Sequence, residues 1–430
     1  MKSCAETFYS SNTFLLKGIT MISAIAKYML SRSFSKINFV FKPLDWLESG
    51  FNSSKFGLYL HVPFCKMFCS FCPFYKVLYD EKLKKKYIES VKSEVKLRGL
   101  KGSASWLYIG GGTPNLLKAE EIWEILAYLR EFMELRDVGM EGNPFEFTPE
   151  YLEKIGDAGV TKISMGVETF QTNALKAVKR AKANERLVNK IVSSAQKIGI
   201  SVNIDLMVGL PQQSLKGCLK DIETIAGIGP DQVTIYPYLL IPGVTADPGA
   251  DSLSMFKTIE SAWDIFEENG YKRDSIWVFA KSHRIYDSAK DELVSDYFGL
   301  GPAAFSTIGN IQIVNPPIEI YLHTLREGKR LAFYSELDEN AKAWRAFAHE
   351  LYKLRLEPGV CSKLPLSVKT VLQILRTTGY VEGFNVTNKG RYLVHEITKT
   401  VVETLPFPLS NPNRIKNISE YEEALKKVKL

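Results

Sequence analysis

Phe56-Gly-Leu-Tyr-Leu-His-Val-Pro-Phe-Cys65-Lys-Met-Phe-Cys69-Ser-Phe-Cys72 opens as a strand and closes as a cluster of thiols. Apolar and aromatic residues fill Phe56–Val62, Pro63 removes the next ladder donor, and the chain turns into a loop carrying three cysteines. Runs of the same kind recur at Ser105–Ile109, Val138–Glu141, Lys162–Met165, Ser201–Met207 and Val233–Tyr236. Longer helical periods lie between them. In Asn184–Ile198, residues Leu187, Val188, Ile191, Val192, Ala195 and Ile198 share one face, and Asn184 is placed to cap the first turn. Strands alternating with helices over 56–280 predict an α/β fold with a parallel sheet. The number of such units suits a partial (β/α)6 barrel, whose active site sits where the carboxyl ends of the strands meet the following loops.

After about residue 285 the rhythm changes to a Gly-Leu-Gly-Pro turn at Gly299–Pro302 and a strand-like run at Ile311–Val314. Near the end, a helix over Leu366–Thr377, a short hairpin through Tyr380-Val381 and Asn385-Val386, and a Thr387-capped helix over Lys389–Glu403 give a winged-helix-like pattern. The expected division is an N-terminal extension at 1–50, the barrel core at 51–285, and an α+β domain with a winged-helix-like end at 286–430. Lys82, Lys84, Lys85 and Lys86 read as the solvated face of a helix.

Composition narrows the class without naming a chemistry. The 430 residues are 45% apolar and 24% charged, which excludes a disordered tail or a mini-protein. A net charge of +7 leans only weakly toward an anionic ligand and does not argue for nucleic acid. Of six cysteines, three stand within eight positions while Cys4, Cys218 and Cys361 are scattered, which is no disulfide framework. A reducing compartment, and so a cytoplasmic protein, is expected. The apolar run 14–30 is interrupted by Lys17 and Lys27, too early for a spanning helix, and reads as a packing helix or an interfacial one.

Cys65, Cys69 and Cys72, on a loop directly after the first strand, can wrap one face of an iron–sulfur cube. A zinc site would show a fourth ligand, and no second Cys/His pair stands at finger-like spacing. With three protein ligands on a four-iron cluster one iron is left open for a substrate or cofactor, which favours a catalytic site over a pure electron carrier. Further chemistry-bearing stretches end the later strands: Gly110-Gly111-Gly112-Thr113-Pro114, Glu141-Gly-Asn-Pro144, Ser164-Met-Gly-Val-Glu168 and Asn203-Ile-Asp205. Side-chain-free glycines let backbone approach a ligand, and carboxylates aligned at successive strand ends face a common cavity. His61 reads as a hydrogen-bonding support for the cysteine loop. Tyr236 and Tyr238 read either as aromatics lining a cavity for a flat substrate or as core.

The C-x3-C-x2-C loop with an aromatic before its third cysteine resembles the signature of the radical S-adenosylmethionine (radical SAM) enzymes. The lead-in Tyr59-x-His61-x-Pro63-Phe64-Cys65 resembles, more narrowly, their HemN-like group of oxygen-independent coproporphyrinogen III oxidases and haem chaperones. The resemblance implies a [4Fe-4S] cluster on Cys65, Cys69 and Cys72, and one or two molecules of S-adenosylmethionine. Tyr59, Gly111 and Glu141 match family positions around the cluster-bound molecule, and Phe305 matches a backbone position near it. Gly112, Thr113, Glu168, Arg180 and Asp205 match positions lining a second site.

Three activities follow from the resemblance: oxidative decarboxylation of a tetrapyrrole-like substrate, methyl transfer from a second S-adenosylmethionine, and haem binding by a chaperone. The implied partners are a small-molecule substrate and an electron donor such as flavodoxin or ferredoxin, with neither nucleic acid nor a membrane span. Two positions depart from the decarboxylases: Phe74 stands where they carry a further cysteine, and Glu168 where they commonly carry Gln. The chaperones carry His-Asn-x-x-Tyr-Trp before the Gly-Leu-Gly turn, where this chain reads Ser295-Asp-Tyr-Phe298 and the nearest histidine is His283.

Overall fold

The structure, a computed structural model, describes residues 40–43, 55–241, 244–245, 247–281 and 296–404, with backbone alone at 40–43 and 401–404. The apolar run 14–30 lies outside these residues, as do Cys4, His283 and Ser295. Each expected strand is present: β1 Lys55–Val62, β2 Gly102–Gly111, β3 Val138–Gly142, β4 Lys162–Glu168, β5 Ser201–Val208 and β6 Gln232–Pro237. Adjacent members pair in parallel from β1 through β6. The fold is α/β, with a parallel sheet at its centre.

The intervening helices are α1 Glu81–Arg98, α2 Ala119–Arg130, α3 Pro149–Asp157, α4 Thr172–Ala177, α5 Glu185–Lys197 and α6 Leu215–Ile228, followed by α7 Ser252–Glu268. In α5 the residues Val188, Ile191, Val192 and Ala195 are buried against the sheet, and the Asn184 side chain accepts from Leu187 N–H at 2.8 Å. That cap contributes about 1 kcal/mol. Ile198, by contrast, falls at the helix end and is exposed. Lys84 also differs from its sequence reading. It is wholly buried, with Nζ 3.1 Å from Glu81 and 2.8 Å from Glu121, because α1 and α2 close over its charge once two carboxylates face it.

The sheet continues past β6 and before β1. Strand β7 Val278–Ala280 runs antiparallel to β6. Strand β8 Tyr297–Leu300 lies parallel to β1 on its other side. From β8 the antiparallel strands β9 Phe305–Ile308, β10 Ile311–Val314 and β11 Leu331–Glu336 follow in turn, and Val40–Pro43 pairs with the outer edge of β11. Helix α8 Ile318–Arg326 packs on α1. The remaining chain forms α9 Glu339–Tyr352, α10 Leu366–Thr377, the hairpin Val381–Glu382 with Asn385–Val386, and α11 Asn388–Thr404. Thr387 Oγ1 accepts from Gly390 N–H at 3.1 Å, as a cap for α11 should. Helix α11 is held on α7 by Arg391 Nε, which donates to Glu260 at 2.8 Å, and on the strand end by Trp277 Nε1, which donates to His395 Nδ1 at 3.2 Å. Among the described residues no helix is long and apolar enough to cross a membrane.

Candidate functional site

Alternation along the strands sorts core from lumen. Phe56, Leu58, Leu60 and Val62 of β1 are buried against the helices, which leaves Gly57, Tyr59 and His61 on the other face. That inner face is unusual for a barrel, whose interior is normally filled by branched apolar side chains. Here large rings lie across glycines of the neighbouring strand. A Cβ on Gly57 would fall 2.0 Å from the Trp106 ring, one on Gly110 would meet Tyr59 at 2.9 Å, and one on Gly139 would meet Tyr108 at 2.9 Å. Tyr108 reaches the interior, where Glu141, Asp205, Tyr236 and Tyr59 all act on its phenol. Because β2 and β5 are not neighbours in the sheet, the Asp205 charge acts on Tyr108 from across the lumen.

The cysteine loop sits at the carboxyl end of β1. Its start and finish zip together, with Val77 N–H donating to Pro63 O at 2.7 Å and Tyr79 N–H to Cys65 O at 2.9 Å. Ser70 N–H donates to Val178 O at 3.1 Å, which sets the loop against the segment that carries Arg180. Cys65 Sγ is 3.5 Å from Thr113 Oγ1, and Arg180 Nη1 is 3.6 Å from Cys69 Sγ. Lys76 Nζ donates to Cys72 O at 2.7 Å. Burial pushes the Cys65 thiol up to about 11 and raises Cys72, while the Lys76 charge pulls both back.

Glu168, Arg180 and Asp205 form one buried constellation. Glu168 takes a left-handed backbone at φ 65°, strained for a residue with a Cβ, where the register of β4 against β5 shifts. Its carboxylate lies 3.2 Å from Arg180 Nη2, which also donates to Gly166 O at 2.6 Å. A Cβ on Gly166 would stand 2.6 Å from that guanidinium and 2.8 Å from Glu168 Oε1, so a larger residue would have to shift the pair. Asp205 accepts from Ser164 Oγ and from Asn203 Nδ2, both at 2.8 Å. Burial raises both carboxyls: Glu168 to about 7, with Arg180 opposing and Asp205 adding to the shift, and Asp205 in the same direction against its hydrogen bonds.

Tyr59 and Glu141 flank the glycine loop. Gly111 N–H donates to Glu141 Oε1 in a short hydrogen bond, with Gly111 at φ +116° and its Cα so near the His61 ring that a Cβ would lie 2.8 Å from Cε1. A Cβ on Gly112 would lie 2.7 Å from Phe64 O, so the backbone of this loop touches the base of the cysteine loop. Phe305 is partly exposed at the start of β9; its carbonyl oxygen would be 2.1 Å from a Cβ on Gly299, and Gly299 pairs with Tyr59. The structure therefore draws together Cys65 with Thr113, Cys69 with Arg180 and Glu168, Glu141 with Gly111, and Tyr59 with the Phe305 backbone.

Tyr236 lies with its ring against Trp277, centroids 6.2 Å apart, and is partly exposed toward the mouth. Tyr238 is buried and donates to Asp247 O at 3.0 Å, a structural role. Sequence reasoning missed Tyr108 and Thr234, whose Oγ1 donates to Asn203 Oδ1 at 3.1 Å. Each stands two positions before a residue it did quote, Gly110 and Tyr236, so counting every second residue back from the strand ends would have placed them.

The donor set suits an iron–sulfur cluster. Cys65, Cys69 and Cys72 are free soft ligands on one loop, while Cys218 and Cys361 are buried elsewhere. Among the described residues no three His, Cys, Asp or Glu side chains converge as a ready-made cage for a single metal ion. Thiols held protonated by burial release their protons when metal takes them, and Lys76 and Arg180 stand beside the charge so formed.

Residues 59–225 match the family model of the radical SAM superfamily. The haem chaperone HemW of Buchnera aphidicola is 24% identical over 81% of this chain and 98% of its own length. The oxygen-independent coproporphyrinogen III oxidase of Escherichia coli is 26% identical over 68% of each chain, and that of Helicobacter pylori is 31% identical over 60% of this chain and 61% of its own. The solved structure of the Escherichia coli coproporphyrinogen III oxidase HemN superposes with a TM-score of 0.70 at 23% identity, over 82% of this chain and 91% of that one, so the fold is shared.

Proposed function

Because the chain is a HemN-like member of the radical SAM superfamily, we propose that it is an enzyme acting on a tetrapyrrole-like or other conjugated-ring substrate by hydrogen abstraction, in the manner of an oxidative decarboxylase. Its cofactors are a [4Fe-4S] cluster and S-adenosylmethionine. When bound, these supply one-electron cleavage of a sulfonium and a carbon radical able to take hydrogen from an unactivated position.

The chain's own residues hold and shield that chemistry. Cys65, Cys69 and Cys72 ligate the cluster. Tyr59, Gly111, Glu141 and the Phe305 backbone bind the first S-adenosylmethionine, with the Glu141 carboxylate answering its ammonium group. Gly112, Thr113, Glu168, Arg180 and Asp205 line an adjoining compartment for a second S-adenosylmethionine or the substrate. The observation that carries this reading is Arg180, 3.6 Å from the Cys69 thiol and 3.2 Å from Glu168, because it joins a cluster ligand to the lumen carboxylates in one buried site.

A second reading is methyl transfer from the second S-adenosylmethionine. It is favoured by Phe74, exposed where the decarboxylases carry a cysteine, and by a carboxylate at Glu168. Incubating the reduced, reconstituted protein with coproporphyrinogen III and methyl-deuterated S-adenosylmethionine separates the two. Loss of carbon dioxide from a propionate supports decarboxylation, and deuterium in the product supports methyl transfer. Tight haem binding with neither product would leave the chaperone activity named for the HemW relatives. An acidic carrier such as flavodoxin or ferredoxin is the proposed electron donor.

A further inference from the structure

Glu94 is a wholly buried carboxylate in the last turns of α1, the helix that follows the cysteine loop. Donors from separate segments converge on it. Oε1 accepts from Arg98 Nη1 at 3.1 Å and Asn315 Nδ2 at 2.8 Å, with Arg330 Nε at 3.7 Å. Oε2 accepts from Gly301 N–H at 2.8 Å and Tyr321 Oη–H at 2.7 Å. The same donors also hold the Gly299–Gly301 turn by its carbonyls: Arg98 Nη1 donates to Gly299 O at 2.6 Å, and Asn315 Nδ2 to Gly301 O at 2.9 Å.

The turn's other surface is built without side chains. Gly301 has φ +90°, and a Cβ there would stand 2.5 Å from His61 O. Gly299 pairs with Tyr59 on one side and touches the Phe305 carbonyl on the other. The turn is thus a spacer between Tyr59 and Phe305, and Glu94 grips it from behind. A buried carboxyl group that accepts from Arg98, Asn315, Gly301 and Tyr321 resists displacement of any of them, since moving one leaves a buried polar group unpaired.

We infer that Glu94 is a positioning residue for the S-adenosylmethionine site: by clamping the Gly299–Gly301 turn it sets the gap between Tyr59 and the Phe305 backbone. This rests on the reading above that those two residues flank that ligand. Glu94 acts on that site through Gly301, from whose N–H it accepts.

Glu94→Gln and Tyr321→Phe test it, the second removing one donor without unbalancing Arg98 and Arg330. In the cluster-free protein, hydrogen exchange should speed up in the peptide 297–306 while β5 stays protected. After reconstitution both variants should keep about four iron per chain, and their affinity for S-adenosylmethionine, read from its effect on the electron paramagnetic resonance of the reduced cluster, should fall about tenfold for Glu94→Gln and less for Tyr321→Phe. If Glu94→Gln fails to fold, Tyr321→Phe alone decides. Lowered melting temperatures with wild-type exchange at 297–306 and wild-type affinity would overturn the inference. A wild-type cluster that does not respond to S-adenosylmethionine at all would instead overturn the reading beneath it.

Discussion

His61 Nε2 lies 3.0 Å from the carbonyl oxygen of Tyr75. A carbonyl only accepts, so Nε2 carries the proton and Nδ1 is left to accept from the Tyr59 hydroxyl at 3.4 Å. Tyr87 Oη–H donates to His61 O at 2.9 Å. One imidazole therefore closes the cysteine loop, which starts after Val62 and ends at Tyr75, and ties it to Tyr59.

Replacing that ring should loosen the loop before it harms the fold. His61→Ala is expected to cost about 1–3 kcal/mol, since Tyr75 O loses its donor in a buried place, and to lower iron uptake on reconstitution. Burial holds the imidazole down at about 4, against a backbone hydrogen bond that favours its charge. A folded value below the unfolded one means that stability from His61 is complete above pH 6.5 and is lost as pH falls toward 4. Urea denaturation of wild type and variant at pH 5 and pH 8 reads the difference, which should shrink at the lower pH.

Glu168 has the opposite sign. Its folded value of about 7 stands above the 4.5 of an exposed glutamate, so the folded state binds more protons and stability falls as pH rises between these limits. The lost stability is roughly 3 kcal/mol. Glu168→Gln should be less stable than wild type or equal to it at pH 4.5 and more stable at pH 8 in the ligand-free protein. Equal pH dependence of the two proteins would show that Glu168 is ionised throughout.

Arg180 links what Glu168 and Cys69 each need. Arg180→Met removes the cation that holds Glu168 down, so Glu168 should stay protonated to higher pH and the loss of stability should grow as pH rises, toward the about 3–5 kcal/mol of a broken buried pair once the carboxyl is ionised. The variant should also bind less iron, because Cys69 loses the guanidinium beside its thiol. Arg180→Lys should recover part of the stability but not the bond to Gly166 O, since one ammonium cannot span the positions that a guanidinium bridges.

Gly111→Ala tests the glycine loop. At φ +116° and with a Cβ 2.8 Å from the His61 ring, alanine must move either the loop or the imidazole. A stability loss of about 1–3 kcal/mol is expected, together with weaker binding of S-adenosylmethionine, because Gly111 N–H also orients Glu141. Gly227→Ala, on the exposed side of α6 with open space around it, should instead be neutral or slightly stabilising by propensity.

The barrel was legible because every strand of its core is a short apolar run followed by a helical period, as at Ser201–Val208 before Leu215–Ile228. The cysteines were legible because their spacing is local. What could not be read is what depends on contacts far apart in sequence. Arg180 reaches Cys69 across 111 positions and Glu94 reaches Gly301 across 207, and no periodicity signals either. Lys84 escaped for a related reason: its neighbours in sequence are exposed lysines, while the carboxylate that buries it, Glu121, belongs to the next helix. Strand β8 was hidden because it joins the parallel sheet beside β1 only after the chain has passed through the other core strands.

The central claim is that Cys65, Cys69 and Cys72 hold a cluster that cleaves S-adenosylmethionine. Its most direct test is to measure 5′-deoxyadenosine formed by the anaerobically reconstituted, dithionite-reduced protein, with Cys69→Ala as control. The expected result is 5′-deoxyadenosine from the wild type and none from Cys69→Ala. A wild type that carries its full iron yet leaves S-adenosylmethionine intact would contradict it.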